Sequence, residues 1–216
     1  MSAEQTYFPT IQEYDLAVEA QGLLRGKGNT EIPGVAQEVK RYEQATVTTI
    51  RILNAEGAQR MGRPQGNYIT LEIPPSEQAF PFIDELSGIL AQQLKPLLPK
   101  VGVDVPFLIV GLGNEYATPD ALGPQAVAFI QPTRHFFLHV PEAVSEGLQC
   151  VSALSPGVMG MTGLETSEVL RGVVNHIHPC CVVVIDSLSA ASIQRIGTTI
   201  QILSLIHILS SFWLAL

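Results

Sequence analysis

Two aspartates stand where carboxylates can do chemistry. Asp186 directly follows an apolar run at 181–185, and Asp120 lies six residues after the end of FLIVGLGN at 107–114. Ligands of open α/β sheets bind outside the carboxyl ends of the strands, so both aspartates border one crevice if the two runs are neighbouring strands. One of two close carboxylates keeps its proton. The ionised one then activates a water and the protonated one donates to a carbonyl oxygen, which predicts hydrolysis. The alternative is that both aspartates only serve turns or caps.

A glycine turn, Gly111-Leu112-Gly113, follows the first apolar run. The third glycine position of the dinucleotide-binding fingerprint holds Tyr116, so a tight strand-exit turn is favoured over a cofactor loop. The backbone amides of this turn remain candidates for an oxyanion site.

Other reactive residue types have structural interpretations that compete with functional ones. Glu165 completes a capping box that starts at Thr162, which explains it without a ligand role. His176 and His178 suit the end of a helix better than a metal site, because residues two apart on a helix point in different directions. Cys180 and Cys181 begin an apolar run and are interpreted as small buried side chains.

The elements that must position these residues follow from residue periodicity. Strands are predicted at 45–53 and 67–73, with a short helix at 56–61 between them, and residues 1–35 read as irregular. Helical spacing covers 77–98, with Pro81 in its first turn or at a kink. Further on, strands at 107–110, 151–154 and 181–185 alternate with helices from Pro124 and behind Glu165. This pattern predicts a three-layer α/β fold with a mostly parallel sheet and a small antiparallel element near the N-terminus.

Composition narrows the class of protein. The 216 residues are 46% hydrophobic and 15% charged with a net charge of −8, which excludes a disordered chain and argues against nucleic acid as a direct partner. Residues 1–14 lack the apolar run of a signal peptide. Three cysteines, an odd number, suit a reducing cytoplasm. After Arg195 no Lys, Arg, Asp or Glu occurs.

Several long motifs, taken together, resemble the germination (spore) protease family over about residues 14–202. They are DLAVEA at 15–20, NYITLE at 67–72, LIVGLGN at 108–114, TPDALGP at 118–124, SPGVMGMTGLET at 155–166, VID at 184–186 and TIQI at 199–202. Their order along the chain is that of the family, which is more specific than any single glycine turn.

The resemblance implies an endopeptidase that degrades small acid-soluble spore proteins during germination. It implies a cytoplasmic protein of the forespore and spore core, a homotetramer without an established cofactor or metal, and no membrane partner. The family's key aspartates match Asp120 and Asp186, and its fold resembles that of the hydrogenase-maturing endopeptidases. The family is made as a self-processing zymogen, and the matching cleavage site is Asp15–Leu16. Residues 1–15 are therefore expected to be a propeptide and 16–202 the peptidase domain.

Two stretches depart from the family pattern. An Ala-Leu-Ala-Ala-Arg-like continuation usually follows the second aspartate, whereas this chain has SLSAA at 187–191, so an arginine that steadies Asp186 is missing. Residues 203–216 form an apolar tail unlike the family. We interpret this tail as the product of a truncated, chimeric or frameshifted reading frame, because it is unlike the family. A short C-terminal membrane anchor is the alternative, although the run of 15 residues from Ile202, with three Ser and a His, is short for a membrane span. The alternatives to a spore protease are a metal-assisted maturation-type peptidase and an inactive fragment.

The processing site gives the first prediction. Acid treatment or ageing of the purified protein is expected to yield a mature form that begins at Leu16, as N-terminal sequencing will detect. An intact Met1, or a new N-terminus far from Leu16, contradicts the assignment.

Overall fold

The computed structural model describes residues 16–25, 32–190 and 192–205. The chain divides into two compact units. The first unit runs to Leu97 and resumes at Leu188, and the second is Leu98–Ser187. The first contains a four-stranded antiparallel sheet and the second a three-stranded parallel sheet, which confirms the α/β class.

The antiparallel sheet is larger than expected. Its strands are β1 (Val35–Arg41), β2 (Thr46–Ile52), β3 (Gly66–Glu72) and β7 (Thr199–Leu205), in the order β1-β2-β3-β7. The two predicted strands correspond to β2 and β3. β1 carries no apolar pattern because six of its seven residues are exposed at the sheet edge, and β7 arrives from far along the chain to pair with β3.

Helices flank this sheet. They are α1 (Ala17–Arg25), α2 (Ala55–Met61), α3 (Ser76–Ala79) and α4 (Ile83–Leu94). The prediction that residues 1–35 are irregular is wrong for α1. The predicted interruption at Pro81 is confirmed, since a 3₁₀ turn at Phe80–Phe82 separates α3 from α4.

Both faces of the antiparallel sheet are covered. Tyr68 and Ile69 are adjacent in β3 and therefore point to opposite faces. Tyr68 packs in a cluster with Ala17 of α1 and Met61 of α2, whereas Ile69 packs with Ile89 of α4. Coverage on both sides explains why residues on both faces of β2 and β3 are buried, Thr48 and Thr70 among them.

Arg195 joins three parts of this unit. Its Nε lies 3.3 Å from Glu19 of α1, and its NH1 nitrogen lies 2.8 Å from Glu72 at the end of β3. The guanidinium, shortly before β7, thus faces carboxylates from both elements. This last charged residue of the sequence therefore has a structural role.

The parallel sheet holds the predicted strands of the second unit. They are β4 (Phe107–Gly111), β5 (Val151–Leu154) and β6 (Cys181–Ile185), in the order β5-β4-β6. The helices are α5 (Leu122–Ala128), α6 (Arg134–His139), α7 (Met159–Thr162) and α8 (Thr166–Ile177). α5 begins two residues before Pro124, where the sequence placed its start.

Helices cover β4 on both sides. Leu108 and Val110 are fully buried in a cluster with Leu170 of α8. Gly111 belongs to the opposite face by alternation, and a Cβ there would meet Gly123 and Val127 of α5. The outer strand β6 is less buried than predicted, with Val184 41% exposed, because only one of its edges pairs with a strand in this sheet.

The cap of α8 differs from the predicted one. Glu165 is the N-cap residue itself, and its N–H donates to the side chain of Glu168 at 3.0 Å. The Thr162 hydroxyl instead bonds within the preceding turn, to Val158 and Leu164. The capping box is therefore present three residues further along the chain.

The end of the described chain continues the first unit. β7 extends to Leu205, so residues 203–205 of the predicted apolar tail lie in the antiparallel sheet. Residues 206–216 lie outside the described residues. In the described parts of the chain, no helix has the length and apolar character needed to cross a membrane.

Two helical glycines give a paired stability prediction. A Cβ at Gly57 in α2 would press against the backbone of Gly34, whereas a Cβ at Gly88 in α4 meets nothing within 4 Å. Gly57→Ala should cost about 1–3 kcal/mol of unfolding free energy by overpacking. Gly88→Ala should gain about 0.5–1 kcal/mol from helix propensity. Urea denaturation measures both, and a stabilised Gly57→Ala variant contradicts the packing.

Candidate active site

The carboxyl ends of β4 and β6 meet at one edge of the parallel sheet. These strands are adjacent, and Gly111 is in register with Ile185. Just beyond them, the Leu112 N–H donates to the Ile185 carbonyl at 2.9 Å. Asp186 is the next residue, so it leaves the sheet beside the exit of β4. The condition set by the sequence, that the two strands be neighbours, is met.

Asp120 is fixed by the loop that follows β4. It ends a 3₁₀ turn at Thr118–Asp120. Its Oδ2 accepts the Asn114 N–H at 2.9 Å, and its backbone carbonyl accepts the same N–H at 3.1 Å. Asn114 in turn accepts the Tyr116 N–H through Oδ1 at 3.0 Å. The loop thus folds back on itself and holds the Asp120 carboxylate against the strand exit.

Glycines allow this close approach. Gly113 has φ +119°, and a Cβ there would collide with the Asp120 carbonyl. A Cβ on Gly123, at the start of α5, would lie 2.5 Å from the Ile185 carbonyl and would also collide with Leu112. Gly123 therefore brings the chain that carries Asp120 into contact with the residue that precedes Asp186.

Asp186 has a more local anchor. Its Oδ1 accepts the N–H of the next residue, Ser187, at 2.7 Å in an exposed position. One oxygen of each aspartate is therefore oriented by a backbone N–H. The catalytic role of Asp120 and Asp186 stays a prediction, but the structure brings both to the same end of adjacent strands.

The glycine turn has fewer free backbone N–H donors for an oxyanion site than the sequence suggested. The Leu112 N–H already donates to Ile185, and the Asn114 N–H already donates to Asp120. Those two amides serve the architecture of the strand exit. This observation supports the interpretation as a structural turn.

In the described ranges, cysteine and histidine residues do not join the two aspartates in a metal-binding group. Burial raises the pKa of all three thiols, those of Cys150, Cys180 and Cys181, which keeps them protonated and weakly nucleophilic near neutral pH. His178 caps α8 with φ 51°, as expected for a helix end. Among the described residues, no group of three or more His, Cys, Asp or Glu side chains is placed to hold a metal ion.

The predicted processing site is described only on one side. Asp15 lies outside the described residues, and Leu16 is 3% exposed directly before α1. The N–H of the next residue, Ala17, donates to Gln201 Oε1 of β7 at 2.8 Å. The chain is therefore anchored immediately after the predicted scissile bond.

Sequence reasoning missed Asn114 and Gly123 as site residues. Asn114 positions Asp120, and Gly123 brings the strand exits together. The available signal was the spacing of GLGN at 111–114 and Gly-Pro at 123–124, because glycines close to a strand end mark close backbone approach.

Two aspartates at the carboxyl ends of adjacent parallel strands define a candidate hydrolase. Comparison with known proteins makes this specific. The model of the germination protease family, peptidase family A25, matches residues 10–210, and the chain belongs to that family. It is 44% identical over 191 residues to the germination protease of Clostridium tetani, covering 87% of this chain and 58% of the relative.

Other relatives give the same picture. Identity is 40% over 195 residues to the germination protease of Clostridium acetobutylicum, with 87% of this chain and 58% of the relative covered. The identity to the germination protease of Bacillus cytotoxicus is 42% over 193 residues, with 87% of this chain and 52% of the relative covered. The chain thus spans a little over half the length of the curated relatives it matches.

The backbone contact at Gly123 yields a prediction. Gly123→Ala should lower the unfolding free energy by about 1–3 kcal/mol, because the added Cβ pushes on two backbone segments. Gly172→Ala in α8 is the control, since nothing lies within 4 Å of its Cβ position. Chemical denaturation compares the two, and equal stability of both variants contradicts the proposed role of Gly123.

Proposed function

We propose that this protein is an endopeptidase that begins the degradation of small acid-soluble spore proteins during germination. The observation that carries the proposal is the placement of Asp120 and Asp186 at the ends of adjacent parallel strands in a chain of the germination protease family. The substrate class comes from the family resemblance.

The proposed chemistry is attack of water on a peptide carbonyl. One carboxylate takes a proton from the water while the other, in its protonated form, donates to the carbonyl oxygen. The tetrahedral centre collapses when the leaving amine takes the proton held by the first carboxyl group. The second carboxyl group then recovers its proton from a hydroxyl of that centre, so that both return to their starting states. The backbone N–H bonds from Asn114 and Ser187 orient these carboxyl groups before the substrate arrives.

Processing, assembly and location are part of the same proposal. Cleavage between Asp15 and Leu16 would remove the propeptide and leave all of α1 in place, including its bond to Gln201. We also propose a homotetramer in the cytoplasm of the forespore and spore core. The resemblance to the germination protease family supports the propeptide cleavage, the tetramer and the location.

The metal-assisted alternative uses the same two aspartates as ligands. Helices on both faces of a parallel sheet are consistent with the proposed likeness to the hydrogenase-maturing endopeptidases. Assays with and without a chelator separate the alternatives. Chelator-resistant cleavage supports the carboxylate mechanism, chelator-sensitive cleavage supports the metal mechanism, and absence of cleavage supports an inactive fragment.

A cleavage assay tests the two aspartates directly. Asp120→Asn and Asp186→Asn should each lower the cleavage rate of a small acid-soluble spore protein by about 100-fold or more, the usual contribution of general acid–base catalysis. Circular dichroism and thermal unfolding should show that both variants fold.

The control is Asp104→Asn, the same change at an exposed residue of the second unit. It should cleave at the wild-type rate. Turnover like that of the wild type by Asp120→Asn or Asp186→Asn would refute the assignment.

A further inference from the structure

A second candidate site lies on the outer side of β5, away from the two aspartates in the strand order. It is a cleft of about 320 Å³ between β5 and α6, which we term the β5 cleft. The lining residues are Pro132, Arg134, His135, Leu138, His139, Val151, Ser152 and Ala153.

The charge of the β5 cleft is opposite to that of its surroundings. Residues 98–187 contain eight Asp and Glu against three Lys and Arg. The cleft lining nevertheless has one arginine and two histidines and no carboxylate. Arg134 is half-buried there and forms no ion pair within the described part of the chain. An unpaired, partly desolvated guanidinium favours an anionic group, above all a carboxylate that it can bind in bidentate fashion.

The backbone of β5 is available on the same side. Toward β4, the Cys150 carbonyl accepts the Phe107 N–H. On the outer side, Val151 accepts the Thr133 N–H and donates to the Thr133 hydroxyl at 2.9 Å. Because backbone groups alternate along a strand, the N–H and C=O of Ala153 also point outward, into the β5 cleft. Across the described ranges, no strand pairs with this edge.

We infer that the β5 cleft binds an extended peptide segment that carries an acidic side chain. The segment adds to the outer edge of β5 by pairing with Ala153, and its carboxylate binds Arg134, with His135 and His139 as further donors. This inference rests on the proposed function in one respect, that the segment belongs to a protein substrate.

A peptide fits these observations better than a phosphate or a nucleic acid. An open strand edge offers N–H and C=O groups side by side, which complements another polypeptide backbone. A chain with a net charge of −8 repels a polyanion, whereas one carboxylate needs only the local charge of Arg134.

Binding is tested in the Asp120→Asn background, so that the probes are not cut. The probe is a short fluorescein-labelled peptide, rich in Thr and Ser, with one central Glu, and its affinity is measured by fluorescence anisotropy. Two comparison peptides are measured in the same way. One has Gln in place of Glu, and the other is the Glu peptide with alternate backbone amides N-methylated.

Arg134→Gln should weaken binding of the Glu peptide by roughly tenfold or more, the usual effect of removing a charge-assisted bond. It should leave binding of the Gln peptide unchanged. Lys100→Gln, which removes an exposed cation outside the cleft, should have no effect. N-methylation should weaken binding to every variant, because it removes strand pairing without altering the protein.

Three outcomes overturn the inference. Equal affinity for the Glu and Gln peptides removes the role of the carboxylate, and equal affinity of Arg134→Gln and Lys100→Gln removes the role of Arg134. Undiminished binding of the N-methylated peptide, with displacement by inorganic phosphate or duplex DNA, indicates an anion site without strand pairing.

The proposed function and the inference about the β5 cleft can be refuted independently of each other. If otherwise wild-type protein does not cut a small acid-soluble spore protein while the binding pattern above is found, the β5 cleft is a peptide site on a protein that is not a peptidase. If cleavage occurs and Arg134→Gln leaves its KM unchanged, the proposed function stands and the β5 cleft is not its substrate site.

Discussion

The candidate active site depends on a backbone-to-backbone contact at Gly123. Its missing side chain lets the chain that follows Asp120 touch both the exit of β4 at Leu112 and the end of β6 at Ile185. Gly111 and Gly113 permit the same approach from the other side. With side chains at these positions, the loop that carries Asp120 would be pushed away from the strand ends. The separation of Asp120 and Asp186, the two proposed catalytic residues, is then set by main-chain packing.

Apolar runs and turn residues in the sequence predicted the strands of the parallel sheet, which holds the candidate site. β4 and β6 are short apolar runs ended by turns, which predicts two strands without predicting that they are neighbours. Asp120 and Asp186 could be placed at strand ends for that reason. The roles of Asn114 and Gly123 could not, because they depend on how a loop folds back onto itself over distances that residue periodicity does not report.

The antiparallel unit shows a different limit. β1 is an exposed edge strand, so it lacks the alternation that a half-buried strand shows. β7 pairs with β3 across about 130 residues of sequence, and a TIQI segment alone does not indicate which sheet it joins. Arg195 illustrates the same point. In the sequence, Arg195 is only the last charged residue. In the fold, it forms ion pairs with Glu19 and Glu72 near the start of β7.

The strand order relates the β5 cleft to the two aspartates. All three strands are parallel and in register, so the carboxyl end of β5 lies at the edge where β4 and β6 end. A strand added outside β5 would lie roughly 10 Å from β4 and 14 Å from β6 at the usual strand spacing. About three to five extended residues, at about 3.3 Å each, cover those separations. A peptide held at Ala153 can therefore leave the edge of β5 and cross the strand ends toward Asp120 and Asp186. Under the two proposals, peptide recognition and hydrolysis are separate tasks of one small sheet, with Arg134 beside its outer strand and the two aspartates at its carboxyl edge.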